Sequence, residues 1–197
     1  FDIHQKFIIS FEGRETLLSF KLAPRRVHMP ARWWRHTKQC LQCGGVVRRC
    51  AADAGRLDCL FNNAGVVVFG EVRDYDMSDW ETTIDVNLKG VANGIRAAYP
   101  LMIDQGFGHI INTASMAGLV PGTLQGVYSA TKHAIAGLTK STSLDGRKYD
   151  IACGQIDIGN AETGMAEVFK TGVPQANGTV APEPTFDPEH VAQAVVY

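Results

Sequence analysis

The alternation of apolar and polar positions along this chain becomes regular from residue 57 onward. Short apolar runs at 57–61, 109–114 and 150–156 each lie between turn-forming residues, which is the pattern of buried strands. The longer mixed segments 78–105 and 125–144 separate these runs and predict helices. Strands that alternate with helices indicate an α/β fold built on a doubly wound parallel sheet.

Local signals predict several helix boundaries. Ser78 and Glu81 have the spacing of a capping box, in which two side chains satisfy free amides at a helix start. Asn87 lies inside the same helical segment and predicts an irregularity there, because its amide competes for backbone hydrogen bonds. Toward the end of the chain a short helix is expected at 165–170, and Asp187-Pro-Glu189 predicts the start of a last helix.

The first fifty residues do not follow this pattern. The runs 7–11 and 16–20 have the composition of strands, but Pro24 and Pro30 follow them, and no amphipathic helix is predicted. Residues 1–50 hold 10 Lys or Arg and 3 Asp or Glu (+7), whereas residues 51–197 hold 9 and 17 (−8), which gives the net charge of −1. The arginines fit no nucleic-acid-binding motif, so no nucleic-acid partner is expected. We therefore expect an irregular basic segment at 1–50 and a folded domain at 51–197.

Candidate chemistry is concentrated in Tyr128-Ser-Ala-Thr-Lys132. Four positions separate a phenol from an ammonium group, so a helix places both on one face. A phenol titrates near 10 and exchanges protons poorly at neutral pH, and a neighbouring cation favours its ionised form. A pair at this spacing also arises by chance, so its meaning depends on its surroundings.

Three further motifs lie upstream of this pair. Ser115 follows the predicted strand 109–114, at the carboxyl end where open α/β sheets bind their ligands. The turn Asn62-Asn63-Ala64-Gly65 follows the predicted strand 57–61, and Asn87 lies in the next helix. With four motifs in this order and at these spacings, the chain resembles the short-chain dehydrogenase/reductase family over about residues 55–197.

This resemblance implies a Rossmann-like fold and an oxidoreductase that uses NAD or NADP to interconvert a secondary alcohol and a ketone. It implies that Tyr128 exchanges the substrate's proton and that Ser115 orients the substrate oxygen. Lys132 would lower the pKa of Tyr128 and contact the nicotinamide ribose, and the backbone of Asn87 would hold a water on a proton path from Lys132. The implied cofactor contacts are Asn63, Ala64, Gly65, Tyr128, Lys132, Gly159, Ala161 and Thr163.

Two departures from the family pattern qualify this interpretation. Ile158 stands where the family usually has proline before Gly159, which weakens the expected contacts of Ala161 and Thr163 with the carboxamide. The glycine-rich loop Thr-Gly-x-x-x-Gly-x-Gly that approaches the pyrophosphate has no counterpart in residues 1–60. We therefore expect an N-terminally incomplete or altered copy that lacks the first strands. Because the residue that reads the ribose follows the second strand, NAD and NADP are not distinguished.

The side chains expected around the substrate are mostly apolar, which favours a hydrophobic alcohol or carbonyl compound. They are Val66, Val67, Val68, Phe69, Met116, Leu119, Val120, Leu124, Met165 and Phe169. The family commonly forms dimers or tetramers through the helices at 88–105 and 126–145, so a homodimer or homotetramer is expected. The small residues that would permit close helix packing, there or inside a monomer, are Ala97, Ala98, Ala134, Ala136 and Gly137.

Other classes of protein are less well supported. His36, Cys40, Cys43 and Cys50 could surround zinc, but a single Cys-x-x-Cys pair is a weak signal, and free thiols are the preferred interpretation. No apolar run reaches the ~18 residues of a membrane span, and no signal peptide opens the sequence. We therefore expect no metal, no membrane partner and a cytoplasmic protein.

Two alternatives within the family remain open. A non-catalytic subunit or fragment would keep the fold but fail to bind cofactor, because the phosphate loop is absent. A dehydratase or epimerase of the extended branch would use the same Tyr and Lys, although this chain is short for that branch.

Overall fold

The computed structural model describes residues 6–11, 14–19 and 42–196, which contain a five-stranded sheet. Its strands are β1 (Lys6–Phe11), β2 (Arg14–Ser19), β3 (Cys59–Asn62), β4 (Gly108–Thr113) and β5 (Ile151–Ile156). Their order across the sheet is β2-β1-β3-β4-β5, and β3, β4 and β5 are parallel. The parallel sheet predicted from residue 57 onward is therefore confirmed.

Helical segments connect the parallel strands. The α-helices are α1 (Gln42–Ala54), α2 (Met77–Ile84), α3 (Gly90–Gln105), α4 (Gly126–Gly146), α5 (Glu167–Thr171) and α6 (Glu189–Val196). A π-helical segment, Asp85–Lys89, joins α2 directly to α3, which confirms the irregularity predicted at Asn87. Short 3-10 turns lie at Met116–Gly118, Arg147–Tyr149 and Gly164–Ala166, and a hairpin is formed by β6 (Val173–Pro174) and β7 (Val180–Ala181). Within the described ranges, no helix is long and apolar enough to cross a bilayer.

The runs 7–11 and 16–20, which have the composition of strands, correspond to β1 and β2, but these two strands do not belong to the parallel part of the sheet. β1 and β2 pair antiparallel, because a connection of only two residues between Phe11 and Arg14 permits no other orientation. β1 also pairs antiparallel with β3, through Ile9 with Leu60 and Ser10 with Cys59. This hairpin therefore lies beside β3, where a doubly wound dinucleotide-binding sheet has its first parallel strand.

Helix α1 was not predicted from the sequence. It buries Val47 and Ala51, one turn apart, and packs against α3. Glycines and arginines fill much of its remaining length, so its apolar stripe is too narrow to recognise in the sequence. The boundary predicted after residue 50 falls inside this helix.

Helix α2 begins at a capping box formed by different residues from those predicted. Asp76 is the N-cap, and its carboxylate accepts a hydrogen bond of 3.0 Å from the Asp79 amide. The Asp79 carboxylate in turn accepts one of 3.1 Å from the Asp76 amide. Ser78, the predicted cap, instead donates to Asp76 Oδ1 at 2.7 Å. Aspartate thus supplies both acceptors, and the prediction was wrong by two positions.

The apolar core lies between the sheet and the helices α1, α3 and α4. Its largest fully buried side chains include those of Leu57, Leu60, Met102, Ile110 and Ile135. Three of the small residues considered for subunit packing, which are Ala97, Ala98 and Ala136, are also buried within this chain, whereas Gly137 is exposed. Those three alanines therefore serve packing within the protomer.

A row of buried polar side chains crosses the sheet at the carboxyl ends of the strands. Asn62 Nδ2 donates to Asn112 Oδ1 at 2.8 Å, and Asn112 Nδ2 donates to Thr139 Oγ1 at 3.0 Å. These bonds join β3, β4 and α4 side by side. Asn62 fits only because Gly94 of α3 has no side chain, since a Cβ on Gly94 would lie 2.1 Å from Asn62 Oδ1.

We expect Gly94→Ala to destabilise the protein by about 2 kcal/mol, because the methyl group must displace a buried, hydrogen-bonded amide. Urea unfolding followed by circular dichroism measures this change. Gly137→Ala on α4 is the matched control, since a Cβ there meets nothing within 4 Å and should stabilise the helix by roughly 0.5–1 kcal/mol. Equal stabilities for the two variants would contradict the close packing of Asn62 against α3.

Candidate active site

The turn that follows β3 lies next to the predicted catalytic groups. Asn63 Oδ1 accepts a hydrogen bond of 2.7 Å from Thr113 Oγ1, which fixes the ends of β3 and β4 relative to each other. Gly65 lies close to two predicted site residues, since a Cβ on it would be 3.6 Å from Asn87 Oδ1 and 3.7 Å from Lys132 Nζ. The backbone of Gly65 thus packs directly beside both polar groups.

Asn87 holds this turn in place with its side chain. Its Oδ1 accepts from the Val66 amide at 2.8 Å, and its Nδ2 donates to the Val66 carbonyl at 2.9 Å. Nδ2 also lies 3.2 Å from Thr131 Oγ1 on α4, and Asn87 is fully buried. The π-helical segment that carries Asn87 is a feature often found at functional sites. One amide thereby connects the turn after β3 to α4.

Lys132 is a buried cation. Its side chain is only 2% exposed, and its Nζ donates to the carbonyl oxygen of Thr113 at 2.8 Å. Burial lowers the pKa of Lys132 to about 8. Near neutral pH the ammonium is still the major form, but it can lose a proton far more readily than an exposed lysine.

Ser115 lies close enough to Tyr128 to influence the pKa of its phenol. Ser115 caps the turn Met116–Gly118, where its Oγ accepts from the Ala117 amide at 3.2 Å and donates to the Ile158 carbonyl at 3.2 Å. Burial raises the pKa of Tyr128, and its hydrogen bond with Ser115 offsets part of that rise. The serine hydroxyl is therefore the group that meets the phenol.

The Tyr128–Lys132 relationship differs from the sequence-based expectation in one respect. Both side chains do lie on the same face of α4, with Lys132 Nζ 5.6 Å from the centre of the Tyr128 ring. The ammonium group, however, is bonded to Thr113, and burial is the largest influence on the pKa of Tyr128, which it raises rather than lowers. Lowering the pKa of Tyr128 would therefore require Lys132 to move closer to the phenol.

The segment after β5 is joined to this cluster through Ile158. The Ile158 carbonyl accepts from Ser115 Oγ and, at 3.0 Å, from the Met116 amide. Ile158 and Gly159 also line a cavity of about 290 Å³ together with α6 residues such as His190. Ala161 donates its amide to the Gly159 carbonyl at 3.0 Å, and Thr163 is exposed at the start of a 3-10 turn.

The structure thus brings most of the predicted residues together. Asn87, Lys132 and Gly65 are neighbours, Ser115 meets Tyr128, and Asn63 braces the same strand ends, with Ala64 between Asn63 and Gly65. Gly159 lies near Met116, since a Cβ on it would be 4.0 Å from Met116 Cγ. The chain around Ala161 pairs with Phe186. No contact places Thr163 beside these groups within the described residues.

The sequence did not identify the groups that hold Asn87 and Lys132 in place by hydrogen bonds. These are the Thr113 carbonyl, the Val66 backbone and the Thr131 hydroxyl. Backbone groups carry no residue-specific signal, so the first two could not be inferred. Thr131 lies between Tyr128 and Lys132 in the sequence. Its position one helical turn from Tyr128 was the only indication in the sequence that it belongs to the site.

No metal centre accompanies this cluster in the part of the chain that the structure describes, where no three His, Cys, Asp or Glu side chains come together as ligands. His36 and Cys40, two of the residues considered for zinc, lie outside the described ranges. Of Cys43 and Cys50, only the helical backbone of α1 is described.

Comparison with known proteins decides the family. Residues 37–173 match the family model described as short chain dehydrogenase. The chain belongs to this short-chain dehydrogenase family. The matched region begins upstream of the resemblance found in the motifs, which started near residue 55, and it therefore includes α1.

Curated relatives in the short-chain dehydrogenase family are oxidoreductases. A 3-alpha-(or 20-beta)-hydroxysteroid dehydrogenase of Mycobacterium bovis is 34% identical over 199 residues, which cover 96% of this chain and 69% of the relative. A trans-4-hydroxycyclohexanecarboxylate dehydrogenase of Sinomonas cyclohexanicum is 40% identical over 121 residues, which cover 61% of this chain and 46% of the relative.

Solved structures of this family confirm the predicted Rossmann-like fold. An NAD⁺-bound xylitol dehydrogenase is 31% identical with a TM-score of 0.64, covering 81% of this chain and 61% of its own. A gluconate 5-dehydrogenase from Burkholderia cenocepacia, in complex with NADP and tartrate, is 29% identical with a TM-score of 0.64, covering 71% and 59%. The chain thus spans about three fifths of the length of these two structures.

The residues of this short-chain dehydrogenase fit one half of a nicotinamide dinucleotide. Lys132, next to Asn87 and Gly65, offers a buried ammonium group whose protons can be donated to the hydroxyl oxygens of a ribose. For the pyrophosphate half, residues 1–60 contain no glycine-rich loop, and β1 runs antiparallel to β3. The described residues therefore fit the nicotinamide half of the dinucleotide, but they offer no glycine-rich loop for its pyrophosphate.

Proposed function

We propose that this chain is an NAD(P)-dependent oxidoreductase that interconverts a secondary alcohol and a ketone. The observation that carries the proposal is the buried Lys132 ammonium 5.6 Å from the centre of the Tyr128 ring, with Ser115 close enough to influence the pKa of the phenol. The bound cofactor would supply or accept the hydride. Family membership and dehydrogenase relatives support the same reaction class.

In this proposal each side chain performs one task. Tyr128 removes the hydroxyl proton during oxidation and returns it to the carbonyl oxygen during reduction. Ser115 donates to the Ile158 carbonyl in the structure, and it would turn this proton to the substrate oxygen and so orient that oxygen toward Tyr128. Lys132 would leave the Thr113 carbonyl for the ribose of the cofactor and so bring positive charge closer to the phenol.

Asn87 and the turn it holds would complete the cofactor site. Asn63, Ala64 and Gly65 would pass beside the adenosine half, and the backbone of Asn87 would hold a water that connects Lys132 to solvent. Gly159 and Thr163 would face the nicotinamide carboxamide. The Ala161 amide is already bonded to Gly159, so Ala161 is the weakest of the proposed contacts.

An apolar substrate is the class that the surroundings of Ser115 favour. Met116, Leu119 and Val120 lie within five positions after Ser115 and expose 46%, 55% and 72% of their surface. Met165 and Phe69, also named as substrate contacts, expose 40% and 39%. Exposed apolar side chains on the segment that Ser115 caps favour a hydrophobic carbon skeleton next to the reacting oxygen.

We further propose a homodimer or homotetramer that acts in the cytoplasm. The outer face of α4 supports the assembly, because its exposed positions Ala130, His133, Gly137 and Ser141 recur at helical spacing and are mostly small. Cys59 and Cys153 are free, and burial raises the pKa of each to about 11, so both remain thiols, as is usual in a reducing compartment.

Cofactor titration tests the proposed function against its main alternative, a non-catalytic subunit. The missing glycine-rich loop is the observation that favours the alternative. We expect the fluorescence of NADH or NADPH to change on binding, and a panel of apolar secondary alcohols to be oxidised with the matching oxidised cofactor. Absence of binding by both cofactors, in a sample with a cooperative unfolding transition, would establish the non-catalytic alternative.

A further inference from the structure

Leu124, in the loop before α4, has an unusual backbone conformation. Its φ of 58° lies in the left-handed region, which leucine adopts only at a cost because Cβ crowds its own backbone. Such a conformation persists only where surrounding contacts hold it. Leu124 lies four residues before Tyr128, so its conformation sets how the chain enters the helix that carries the proposed acid/base.

The contacts that hold Leu124 come from Tyr75 and Gly70. The Tyr75 hydroxyl lies 3.0 Å from the Leu124 carbonyl and 3.1 Å from the Val68 carbonyl, so its proton is shared between them. The Gly70 amide donates to the same Leu124 carbonyl at 3.0 Å. Gly70 and Gln125 also form a parallel β-bridge. We call these hydrogen bonds and this bridge together the Tyr75 clamp.

Packing contacts hold the ring of Tyr75 as hydrogen bonds hold its hydroxyl. A Cβ on Gly70 would lie 3.4 Å from one edge of the ring, and a Cβ on Gly126 would lie 3.8 Å from the other. Trp80 packs edge to face against it, with ring centres 6.2 Å apart at 76°. Burial raises the pKa of Tyr75, so its hydroxyl stays protonated and remains a donor.

The clamp joins two segments that flank Tyr128. One is the loop 66–70, which begins at the residue bracketed by Asn87 and carries several of the proposed substrate contacts. The other is the strained entry to α4. We propose that Tyr75 is a positioning residue that fixes both segments, and thereby the wall of the substrate site beside Tyr128. The substrate-related part of this inference rests on the function proposed above.

The test compares Tyr75→Phe with Tyr99→Phe. The Tyr99 hydroxyl is buried without a hydrogen-bond partner among the described residues, so Tyr99→Phe removes a tyrosine hydroxyl without breaking a clamp. We expect Tyr75→Phe to speed hydrogen exchange at the Gly70 and Ser129 amides by about tenfold while the Ile135 amide in mid-helix is unchanged. In turnover of a secondary alcohol, KM should rise about tenfold with kcat changed less than about twofold. Tyr99→Phe should change neither measurement.

A second pair of variants tests the strain at Leu124. Asparagine tolerates the left-handed region better than leucine. In the Leu124→Asn background, Tyr75→Phe should therefore raise KM and Gly70 exchange less than it does in the parent chain. Identical effects in both backgrounds would contradict the claim that the clamp holds a strained residue.

The outcomes separate this inference from the proposed function. If the parent chain shows no turnover, the oxidoreductase proposal fails. The change in the hydrogen-exchange rate of the Gly70 amide relative to that of Ile135, between the parent and Tyr75→Phe, then tests the clamp by itself. Exchange that accelerates equally at both amides would show a global loss of stability and overturn the inference. In an active enzyme, fast Gly70 exchange with an unchanged KM would overturn the positioning role.

Discussion

Replacing Tyr128 with phenylalanine is expected to lower kcat/KM about a thousandfold, since a positioned general acid/base contributes 10²–10⁴-fold. The ring would keep its packing on α4, and only the hydroxyl that meets Ser115 would be lost. Steady-state oxidation of a secondary alcohol, followed through nicotinamide absorbance, measures the change. Circular dichroism should show an intact fold, and titration should show that the variant still binds the cofactor.

Tyr99→Phe also serves as the control for this experiment, because it removes a buried tyrosine hydroxyl at another place in the fold. Its turnover should equal that of the parent chain. Activity of Tyr128→Phe within about tenfold of the parent would remove Tyr128 from the mechanism. The fold and the family assignment would stand, but the chemistry would have to be assigned to another group.

Replacing Lys132 with methionine is expected to change how stability depends on pH. The pKa of Lys132 is about 8 in the folded chain and 10.5 when the side chain is free. Between these values the unfolded chain binds a proton that the folded chain does not, so stability rises with pH through this window. Below pH 8 the folded state carries the whole cost of the buried charge, about 3 kcal/mol.

Lys132→Met removes this cost and the hydrogen bond to Thr113, so at pH 7 it should be more stable by about 2 kcal/mol. The difference from the parent should shrink as pH rises from 8 to 10.5. Urea unfolding at several pH values measures both effects. Lys140→Met is the control, because Lys140 is exposed on the same helix and its removal should not reproduce the gain in stability at pH 7. A pH-independent difference between Lys132→Met and the parent would contradict the buried-cation interpretation.

The parallel part of the fold could be predicted because its signals are local. Each parallel strand is a short apolar run with turn residues beside it, and the helices between them have their own periodicity. The π-helical segment was anticipated for the same reason, since Asn87 is unfavourable inside a regular helix. The antiparallel pairing of β1 with β3 was not anticipated, because the sequence between them showed no helical pattern from which the relative direction of the two strands could be inferred.

The site was predicted as a set of side chains but not as a set of contacts. The helical spacing of Tyr128 and Lys132 does place both groups on one face. It could not show that the Lys132 ammonium bonds to the Thr113 carbonyl, because any residue at 113 offers the same carbonyl. The Tyr75 clamp could not be predicted from the sequence for a similar reason, since its acceptors are the backbone oxygens of Val68 and Leu124.

The π-helical segment Asp85–Lys89 has a consequence for how the site is encoded. A π turn amounts to one extra residue inserted into a helix, and it rotates everything on one side of it by roughly 100° relative to the other. Deleting one residue from this segment would turn the Asn87 amide away from Val66, although the identities of all remaining residues would be unchanged. Part of the site's geometry therefore resides in the number of residues rather than in their identity, so it would escape a scan of point substitutions.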